Sequence, residues 1–429
     1  MSDVDRRVLQ PRAGSGRLGA RPPAPLQCRS GPVKSTAASA AFRFAALYAA
    51  QFFAVGVMLP FLPPILAEAG LSASEVAAVM AAGSAVRLVA GPLGGRAADA
   101  LGDARVVLVA GAAAAAVTAC GFGLAAGFAA MLAVNLLHSA AMAQVIPLTD
   151  ALALGAARGG GGFDYGRVRA AGSVSFILAA TLAGWMAERL GLVSVVWLFV
   201  GALAASALFG ARLPAPAEGG RGRVRGGKGG VGFGAPLRLP AFRLLLLLSA
   251  LIQGSHALYY GFGSIHWAAA GHSATVIGLL WAEGVVAEVA LFLWGRGLAD
   301  RLGPVGLSLL AAGAGALRWA VTAETTALPA LATAQLLHAA TFGAQHLAAM
   351  GVLMRVVPPP MAATAQTLHA SLGVGLASGV LMLASGPLYA ALGGAAFWAM
   401  AGLCAAAVPV AWRLRVVLAT GQAGRTPVA

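Results

Sequence analysis

The segment GRAADALGDAR, residues 95–105, places four charged side chains and two glycines between two long apolar runs. Its first aspartate and the glycine three residues later recur in GRGLADRLG, residues 295–303, at an offset of 201 positions. A different motif repeats in the same way, because GWMAERLG at residues 184–191 returns as GPLYAALG at residues 386–393, 202 positions later. Two unrelated motifs at nearly the same offset indicate a duplicated chain with two equivalent halves.

Apolar residues make up 59% of the 429 residues and charged residues only 10%, against about 25% charged residues in a typical soluble domain. This composition excludes a soluble globular protein. Twelve apolar stretches are each long enough to cross about 30 Å of hydrocarbon as a helix. They lie near residues 42–66, 73–95, 104–124, 128–154, 169–188, 192–211, 241–266, 275–297, 304–322, 327–353, 361–385 and 392–414. We predict an all-α membrane protein with twelve transmembrane helices in two pseudo-symmetric bundles of six.

The longest polar interval divides these stretches into two sets of six. It covers residues 212–240 and is rich in glycine and arginine, as expected for a flexible cytoplasmic linker. The two bundles are therefore expected at residues 41–211 and 241–418, with a short cytoplasmic tail at 419–429. Residues 1–40 are rich in Arg, Pro, Gly, Ser and Ala, so we expect a disordered cytoplasmic tail or an overlong gene start there.

The net charge of +15 follows the predicted orientation of the helices rather than indicating a nucleic-acid partner. With a cytoplasmic N-terminus, 26 of the 29 Lys and Arg residues fall in the tails or inward-facing connections, the others being Arg87, Arg189 and Arg318. An excess of basic residues on one side is the positive-inside pattern of membrane proteins. It predicts a multi-pass protein of a plasma membrane, the inner membrane of a bacterium, with both termini in the cytoplasm.

No grouping of residues in the sequence indicates an enzyme, a metal site or a cofactor. The cysteines at positions 28, 120 and 404 are too far apart for a zinc or redox motif, and no nucleophile and base are grouped at one membrane face. A membrane sensor would be expected to carry a soluble output domain, which short tails do not provide. Transport is therefore the favoured function, and an enzyme or a sensor is a weaker alternative.

Ionisable side chains recur at one depth of the predicted helices. At 1.5 Å per residue, seven of them lie roughly 15–22 Å from the start of their helix, near the middle of the bilayer. They are Arg87, His138, His256, Glu288, Arg318, His338 and His369. Such residues usually face a bundle interior or a water-filled cavity, because an uncompensated charge in hydrocarbon is costly. They predict a shared polar compartment, although single histidines often only join neighbouring helices by hydrogen bonds.

The segment QLLHAATFGAQH, residues 335–346, concentrates two imidazoles and two carboxamides within one predicted helix. Gln335, His338 and Gln345 follow i, i+3 and i+10 spacing and therefore share one stripe of an α-helix. His346 lies about 80° around the helix from His338, which argues against a shared metal ion. We predict that the stripe forms one wall of a transport cavity, in which Arg87 is a further substrate ligand.

A second group of charges lies within residues 147–173. Asp150 ends one apolar helix, a glycine-rich turn follows, and Arg169 opens the next helix. An acid and a base on consecutive antiparallel helices can pair across the interface between those helices. We predict a functional pair, for which an ion pair that closes a cytoplasmic gate is one interpretation.

With twelve predicted helices and the duplicated loop, the chain resembles the major facilitator superfamily. The loop between the second and third helices of that family typically reads Gly-x-x-x-Asp-x-x-Gly-x-x-basic, and this gate motif is matched by Gly95, Asp99, Gly102 and Arg105. The resemblance implies a tight turn at an inner gate, where the aspartate and the arginine can pair. The second copy keeps only Asp300 and Gly303, because Arg296 occupies its first glycine position.

Both groups of charges also resemble those of lactose permease and related proton symporters. In those proteins an acid after a proline and an arginine on the next helix bind substrate, and they map onto Asp150 and Arg169, with one extra residue between them. An interval of twenty residues between an arginine on the ninth helix and a histidine on the tenth is kept by Arg318 and His338. A threonine replaces the permease's proton-carrying glutamate. Glu288 is therefore expected to carry the proton and to balance the charge of Arg318.

Segments along nearly the whole chain after residue 40 resemble the phenylpropionate permease-like branch of this superfamily, among them DYGRVRAAGSVSFI, IGLLWAEGVVAEV and SGPLYAALGG. The resemblance implies proton-coupled uptake, by alternating access, of a small organic solute such as an aromatic acid, with sugars and nucleosides as alternatives. Proton-antiport efflux is less favoured, because the fifth helix lacks the proline of the antiporter motif. The expected partners are the solute, protons and the lipid bilayer, with the chain acting as a monomer.

Overall fold

The computed structural model describes residues 33–158, 163–213 and 234–423, and this part of the chain contains helices and turns but no strand. The first bundle consists of α1 (Val33–Glu68), α2 (Ala73–Leu101), α3 (Ala104–Ala119, continued by Gly121–Leu124), α4 (Phe128–Met142 and Val145–Arg158), α5 (Tyr165–Leu190) and α6 (Leu192–Ala211). Apolar side chains of these helices form its core, and the connections between the helices are short. Consecutive helices therefore run antiparallel across the bundle.

The second bundle repeats this arrangement. It consists of α7 (Pro240–Gly254 and His256–Ala269), α8 (Ala274–Trp294), α9 (Arg296–Glu324), α10 (Leu328–Leu336, a π-helix at Ala339–Ala344, and Gln345–Val356), α11 (Ala362–Leu368, a π-helix at His369–Leu376, and Ala377–Leu392) and α12 (Phe397–Ala423). Hydropathy joins α11 and α12 into one apolar stretch of 57 residues, Thr364–Thr420. A 3-10 turn at Gly393–Ala396 divides that stretch. The predicted fold of twelve helices in two bundles is therefore confirmed.

The duplicated residues occupy equivalent helix ends in the two bundles. Gly102 follows α2 with φ 70°, and Gly303 has φ 62° within α9, a left-handed conformation that glycine adopts without steric cost. Ser72 caps the start of α2 and Ser273 caps the start of α8, each accepting a main-chain N–H with its side chain. The repeat found in the sequence is thus a repeat of helix boundaries.

The predicted tails and linker are shorter than expected where the structure describes them. α1 begins at Val33 and α12 ends at Ala423, so the helices take up part of both predicted tails. A short 3-10 helix at Ala235–Arg238 precedes α7 within the predicted linker. The remainder of the tails and of the linker lies outside the described residues, at positions 1–32, 214–233 and 424–429.

Two π-helices interrupt helices of the second bundle, one in α10 and one in α11. The first lies inside the QLLHAATFGAQH segment. A π-helix has i→i+5 hydrogen bonds and often occurs at functional sites, and it alters the angles that regular α-helical spacing predicts. Gln335, His338 and Gln345 are nevertheless all buried, whereas His346 is exposed.

The two bundles approach each other closely at their predicted outer ends. Gly184 of α5 lies against the main-chain oxygen of Ala274 at the start of α8, where a Cβ would overlap that oxygen. Gly386 of α11 has the equivalent position, since a Cβ there would lie 2.8 Å from the main-chain oxygen of Ala73 at the start of α2. The motif repeated at an offset of 202 residues therefore supplies two symmetry-related contacts that close this side of the protein.

A side chain at Gly184 should force the predicted outer side apart. We expect Gly184→Leu to lengthen the distance between spin labels at Leu190 and Ala270 by about 2 Å or more, the range over which interaxial distances vary with side-chain size. The distance is measured by double electron–electron resonance. Gly201→Leu is the control, because nothing lies within 4 Å of a Cβ at that position. An unchanged distance in Gly184→Leu would show that this contact does not hold the bundles together.

Candidate functional site

A cavity of about 420 Å³ lies between the two bundles. Most of its wall belongs to α1, α2 and α4 of the first bundle, and α7 and α11 of the second bundle complete it. The apolar part of the wall includes four methionines and two phenylalanines, Met58, Met80, Met142, Met382, Phe122 and Phe199. Among the described residues that line the cavity, Arg87 alone carries a permanent charge.

Arg87 and His138 are the two residues predicted from helix depth that reach this cavity. Arg87 is exposed there and forms no ion pair with any described residue. His138 is held differently, because its Nδ1 lies 3.2 Å from the main-chain oxygen of Ala115. A carbonyl can only accept, so Nδ1 carries the hydrogen and Nε2 has none. Arg87 is thus an unpaired cation at the cavity wall.

Arg318 lies in the interior of the second bundle with only 1% of its surface exposed. Its guanidinium donates to Nδ1 of His338 at 3.1 Å, to Oγ1 of Thr341 at 3.1 Å and to Oε1 of Gln335 at 2.8 Å. It also lies over the rings of Tyr259 at 4.8 Å and Trp319 at 4.5 Å. Such faces attract a desolvated cation. Neutral acceptors and aromatic rings therefore surround this buried charge.

Glu288 does not contact Arg318 directly, and the expected ion pair between these two residues is absent from the described part of the chain. His338 lies between them, with Nε2 at 3.6 Å from Oε2 of Glu288. An arginine can only donate, so Nδ1 of His338 accepts from Arg318 and the hydrogen of a neutral imidazole is on Nε2, facing the carboxylate. The three residues expected to handle the proton are therefore connected in the order Glu288, His338, Arg318.

Thr341, in the position of the permease's glutamate, extends this network to His256. Nδ1 of His256 faces two main-chain oxygens at 3.2 Å, which places its hydrogen there and leaves Nε2 as an acceptor. Thr341 Oγ1 lies 3.1 Å from that Nε2. The ring of His256 is in turn 5.9 Å from the ring of Tyr260, which lines the cavity. Tyr260 thus both lines the cavity and lies beside the buried network.

The stripe predicted to form a cavity wall is not among the described residues that line the cavity, and this applies to Gln335, His338 and Gln345. Gln335 donates to the hydroxyl of Tyr259 at 2.8 Å and to the main-chain oxygen of Leu280 at 2.9 Å, so both ends of its amide have partners. Gln345 donates to Ser249 Oγ at 3.3 Å. The same Oγ lies 2.8 Å from Nε2 of His369, which is therefore part of a second network. These amides join α10 to α7 and α8.

Asp150 and Arg169 come together as the sequence predicts, at 3.8 Å between Oδ1 and Nε. Both side chains are about one-third exposed. Tyr48 donates to the same oxygen at 2.5 Å and Tyr165 at 3.0 Å, so three groups converge on one carboxylate oxygen. The Arg169 guanidinium also lies 4.0 Å above the ring of Phe52. These aromatic partners, which no spacing rule pointed to, hold both charges in place.

The gate motif forms the expected turn with a different ion pair. Gly102 supplies the turn, but Arg105 pairs with Asp103 at 3.1 Å instead of with Asp99. The change of partner from Asp99 to Asp103 has a local cause. Asp103 caps α3 by accepting the main-chain N–H of Arg105 and so lies beside that side chain. A Cβ placed at Gly95 would have no atom within 4 Å, so no close contact requires a glycine there. In the second copy, Asp300 lies 3.7 Å from Arg296, with both side chains largely exposed.

Two duplicated six-helix bundles around a central cavity define a secondary transporter of the major facilitator superfamily. The chain belongs to the MFS_1-like family, whose model matches residues 41–400. It is therefore a multi-pass membrane transporter that moves a small solute. Relatives and fold are those of transporters rather than enzymes, as predicted.

The chain is 32% identical over 357 residues to the "Probable 3-phenylpropionic acid transporter" of Escherichia coli (strain K12), covering 82% of this chain and 92% of that protein. It is 30% identical over 354 residues to the maltose permease of Geobacillus stearothermophilus, covering 80% and 86%. The crystal structure of the nucleoside transporter NupG superposes with a TM-score of 0.76 at 16% identity, covering 88% of this chain and 98% of that chain. That structure shows the fold alone.

Removing the Gln335 amide should destabilise the second bundle, because it withdraws an acceptor from a buried cation. We expect Gln335→Leu to lower the free energy of unfolding in detergent by about 3 kcal/mol. Gln366→Leu is the matched control, since Gln366 is an exposed glutamine on the neighbouring helix α11. The free energy of unfolding of both variants is measured by denaturant titration. Equal losses in the two variants would contradict the importance of the contact with Arg318.

Proposed function

We propose that the protein is a proton-coupled uptake carrier for a small organic acid, with an aromatic acid as the leading candidate. The main support for this proposal is the position of Arg87, an unpaired cation at a cavity wall built mainly from apolar side chains. A carboxylate can accept two parallel hydrogen bonds from a guanidinium. Methionine side chains adapt to the shape of a ring and make favourable contacts with it. The relative whose name specifies 3-phenylpropionic acid supports the same class of substrate.

The cavity also matches such a substrate in size. Its volume of about 420 Å³ falls within the roughly 300–1,000 Å³ of small-molecule pockets. A sugar would leave the charge of Arg87 without a counter-ion, so the acid is favoured over the sugar that the name of the maltose permease specifies. His138 has its Nδ1 hydrogen committed to a main-chain oxygen, and its Nε2 can therefore act as an acceptor toward a polar group of the substrate.

We assign the coupling proton to Glu288, acting with His338 and Arg318. With Glu288 ionised, the Nε2 hydrogen of His338 faces a carboxylate, and the charge of Arg318 is balanced through the imidazole. With Glu288 protonated, this interaction weakens and Arg318 keeps only neutral acceptors and aromatic rings. A proton on Glu288 therefore changes the electrostatic balance of the whole network. Tyr260, between the network and the cavity, is the contact through which substrate can sense this change.

The contacts of Gly184 and Gly386 close the predicted outer side, as expected for one state of a carrier that works by alternating access. In this proposal the structure faces the cytoplasm, the termini are cytoplasmic and the carrier functions as a monomer in a bacterial inner membrane. Asp150 and Arg169 then lie on the inner side of the cavity, where they either bind substrate or close the inner gate. Their pairing with two tyrosines and the partial exposure of both charges favour the gate.

An unpaired Arg87 should make transport selective for carboxylates. In proteoliposomes with an imposed proton gradient, we expect accumulation of radiolabelled 3-phenylpropionate but not of maltose or uridine, and an uncoupler should abolish it. Loss of a bidentate charged contact should weaken binding by about 3 kcal/mol, roughly a hundredfold, in Arg87→Gln. Arg189→Gln, an exposed outer arginine, is the control. Accumulation of the neutral solutes instead, or full affinity in Arg87→Gln, would contradict the proposed substrate class.

Neutralising Glu288 should separate exchange from uphill transport. We expect Glu288→Gln to lose proton-driven accumulation while keeping exchange of labelled for unlabelled substrate, because exchange requires no net release of a proton. Glu283→Gln, five positions earlier on α8, is the control and should retain both activities. Wild-type accumulation in Glu288→Gln would contradict the assignment and direct it to Asp150 or Glu283.

A further inference from the structure

The predicted inner ends of α1 and α6 form a cleft on the outside of the first bundle, separate from the central cavity. Its volume is about 470 Å³, and it is lined by Phe42, Arg43, Ala46, Phe209 and Arg212. Arg43 donates from Nη1 to the main-chain oxygen of Arg212 at 2.9 Å, where α6 ends. Phe42 is 74% exposed, although it lies at the end of a membrane-spanning helix. The cleft thus combines two guanidinium groups with two phenyl rings.

The two arginines of this cleft have no counter-charge among the described residues. The described residues that line it include no acidic residue, and neither arginine forms an ion pair with any of the described residues. The contact made by Arg43 is with a neutral main-chain oxygen, and the side chain of Arg212 is exposed. Arg105 also lies nearby, because it donates to the main-chain oxygen of Leu213, but its charge is balanced by Asp103. This excess of positive charge favours an anionic occupant.

The duplicated half of the chain shows that the cleft is not a general consequence of the fold. The Ala-Phe-Arg sequence that ends at Arg43 recurs 200 positions later, where it ends at Arg243. The Arg-Leu pair that begins at Arg212 recurs 201 positions later, where it begins at Arg413. Phe242, however, is completely buried. α12 also continues past Arg413 to Ala423, whereas α6 ends at Ala211. The equivalent residues of the second bundle therefore lack the exposed phenylalanine and the helix end that form this cleft.

We propose that this cleft binds the headgroup phosphate of an anionic phospholipid of the inner leaflet. The two guanidinium groups are suited to phosphate oxygens, and the exposed ring of Phe42 can lie along the glycerol and the upper acyl chain. The linker is a poor alternative occupant, because residues 214–233 contain four Lys or Arg and a single Glu. Basic pockets at the cytoplasmic side of membrane proteins commonly bind such headgroups.

Native mass spectrometry of the full chain in detergent tests this proposal. The probes are phosphatidylglycerol, phosphatidylcholine and inorganic phosphate, each added in a titration. We expect one phosphatidylglycerol to be retained per chain, and its affinity to fall by about thirtyfold in the double variant Arg43→Gln/Arg212→Gln. Arg243→Gln/Arg413→Gln removes the same number of charges from the equivalent positions of the second bundle and should leave the affinity unchanged.

Four results would overturn the proposal. Equal losses in the two double variants would mean that only the general basic charge attracts lipid. Phosphatidylcholine bound as tightly as phosphatidylglycerol would remove the role of the headgroup charge, and displacement of the lipid by inorganic phosphate at equal concentration would assign the cleft to a soluble anion. Arg43→Gln also loses a hydrogen bond, so Arg212→Gln is measured alone. It should weaken phosphatidylglycerol binding by about fivefold, and an unchanged affinity there would also contradict the proposal.

Discussion

A guanidinium buried in the second bundle, which contacts no carboxylate of the residues that the structure describes, constrains the arrangement of the helices around it. Arg318 needs acceptors on several sides because an isolated charge in a low-dielectric interior is very unfavourable. α10 supplies three of them, α7 contributes the ring of Tyr259, and α9 contributes the adjacent Trp319. Three helices are thereby held in one register. The connection to Glu288 on α8 runs through the imidazole of His338.

The two bundles have different chemical content despite their common origin. The first contributes most of the cavity wall and the unpaired Arg87, whereas the second contains the buried network of Arg318, His338 and His256. Tyr260 is the polar side chain of the second bundle that both lines the cavity and packs on that network. Duplication has therefore preserved the helix ends and the closing contacts while the polar interiors have diverged.

The sequence predicts the helices and the duplication, because hydropathy and residue spacing reflect local geometry. It also predicts that two pairs of polar side chains lie close together. Asp150 with Arg169 and Arg318 with His338 are examples, because consecutive helices bring them together. Contacts between helices distant in the chain were not predictable in this way. Tyrosine hydroxyls on Asp150 and the imidazole between Glu288 and Arg318 depend on side-chain packing, which no spacing rule encodes. The pairing of Arg105 with Asp103 was decided by a local helix cap.

The π-helix at Ala339–Ala344 makes the site depend on chain length as well as on residue type. Gln335 and His338 precede it and hold Arg318, whereas Gln345 follows it and faces Ser249. Removing one residue from this segment would restore a regular α-helix and rotate one group against the other by about 100°. No side chain that contacts Arg318 would need to change. Insertions and deletions in the middle of α10 are therefore a route by which related carriers can reorient part of the buried network while keeping every residue that forms it.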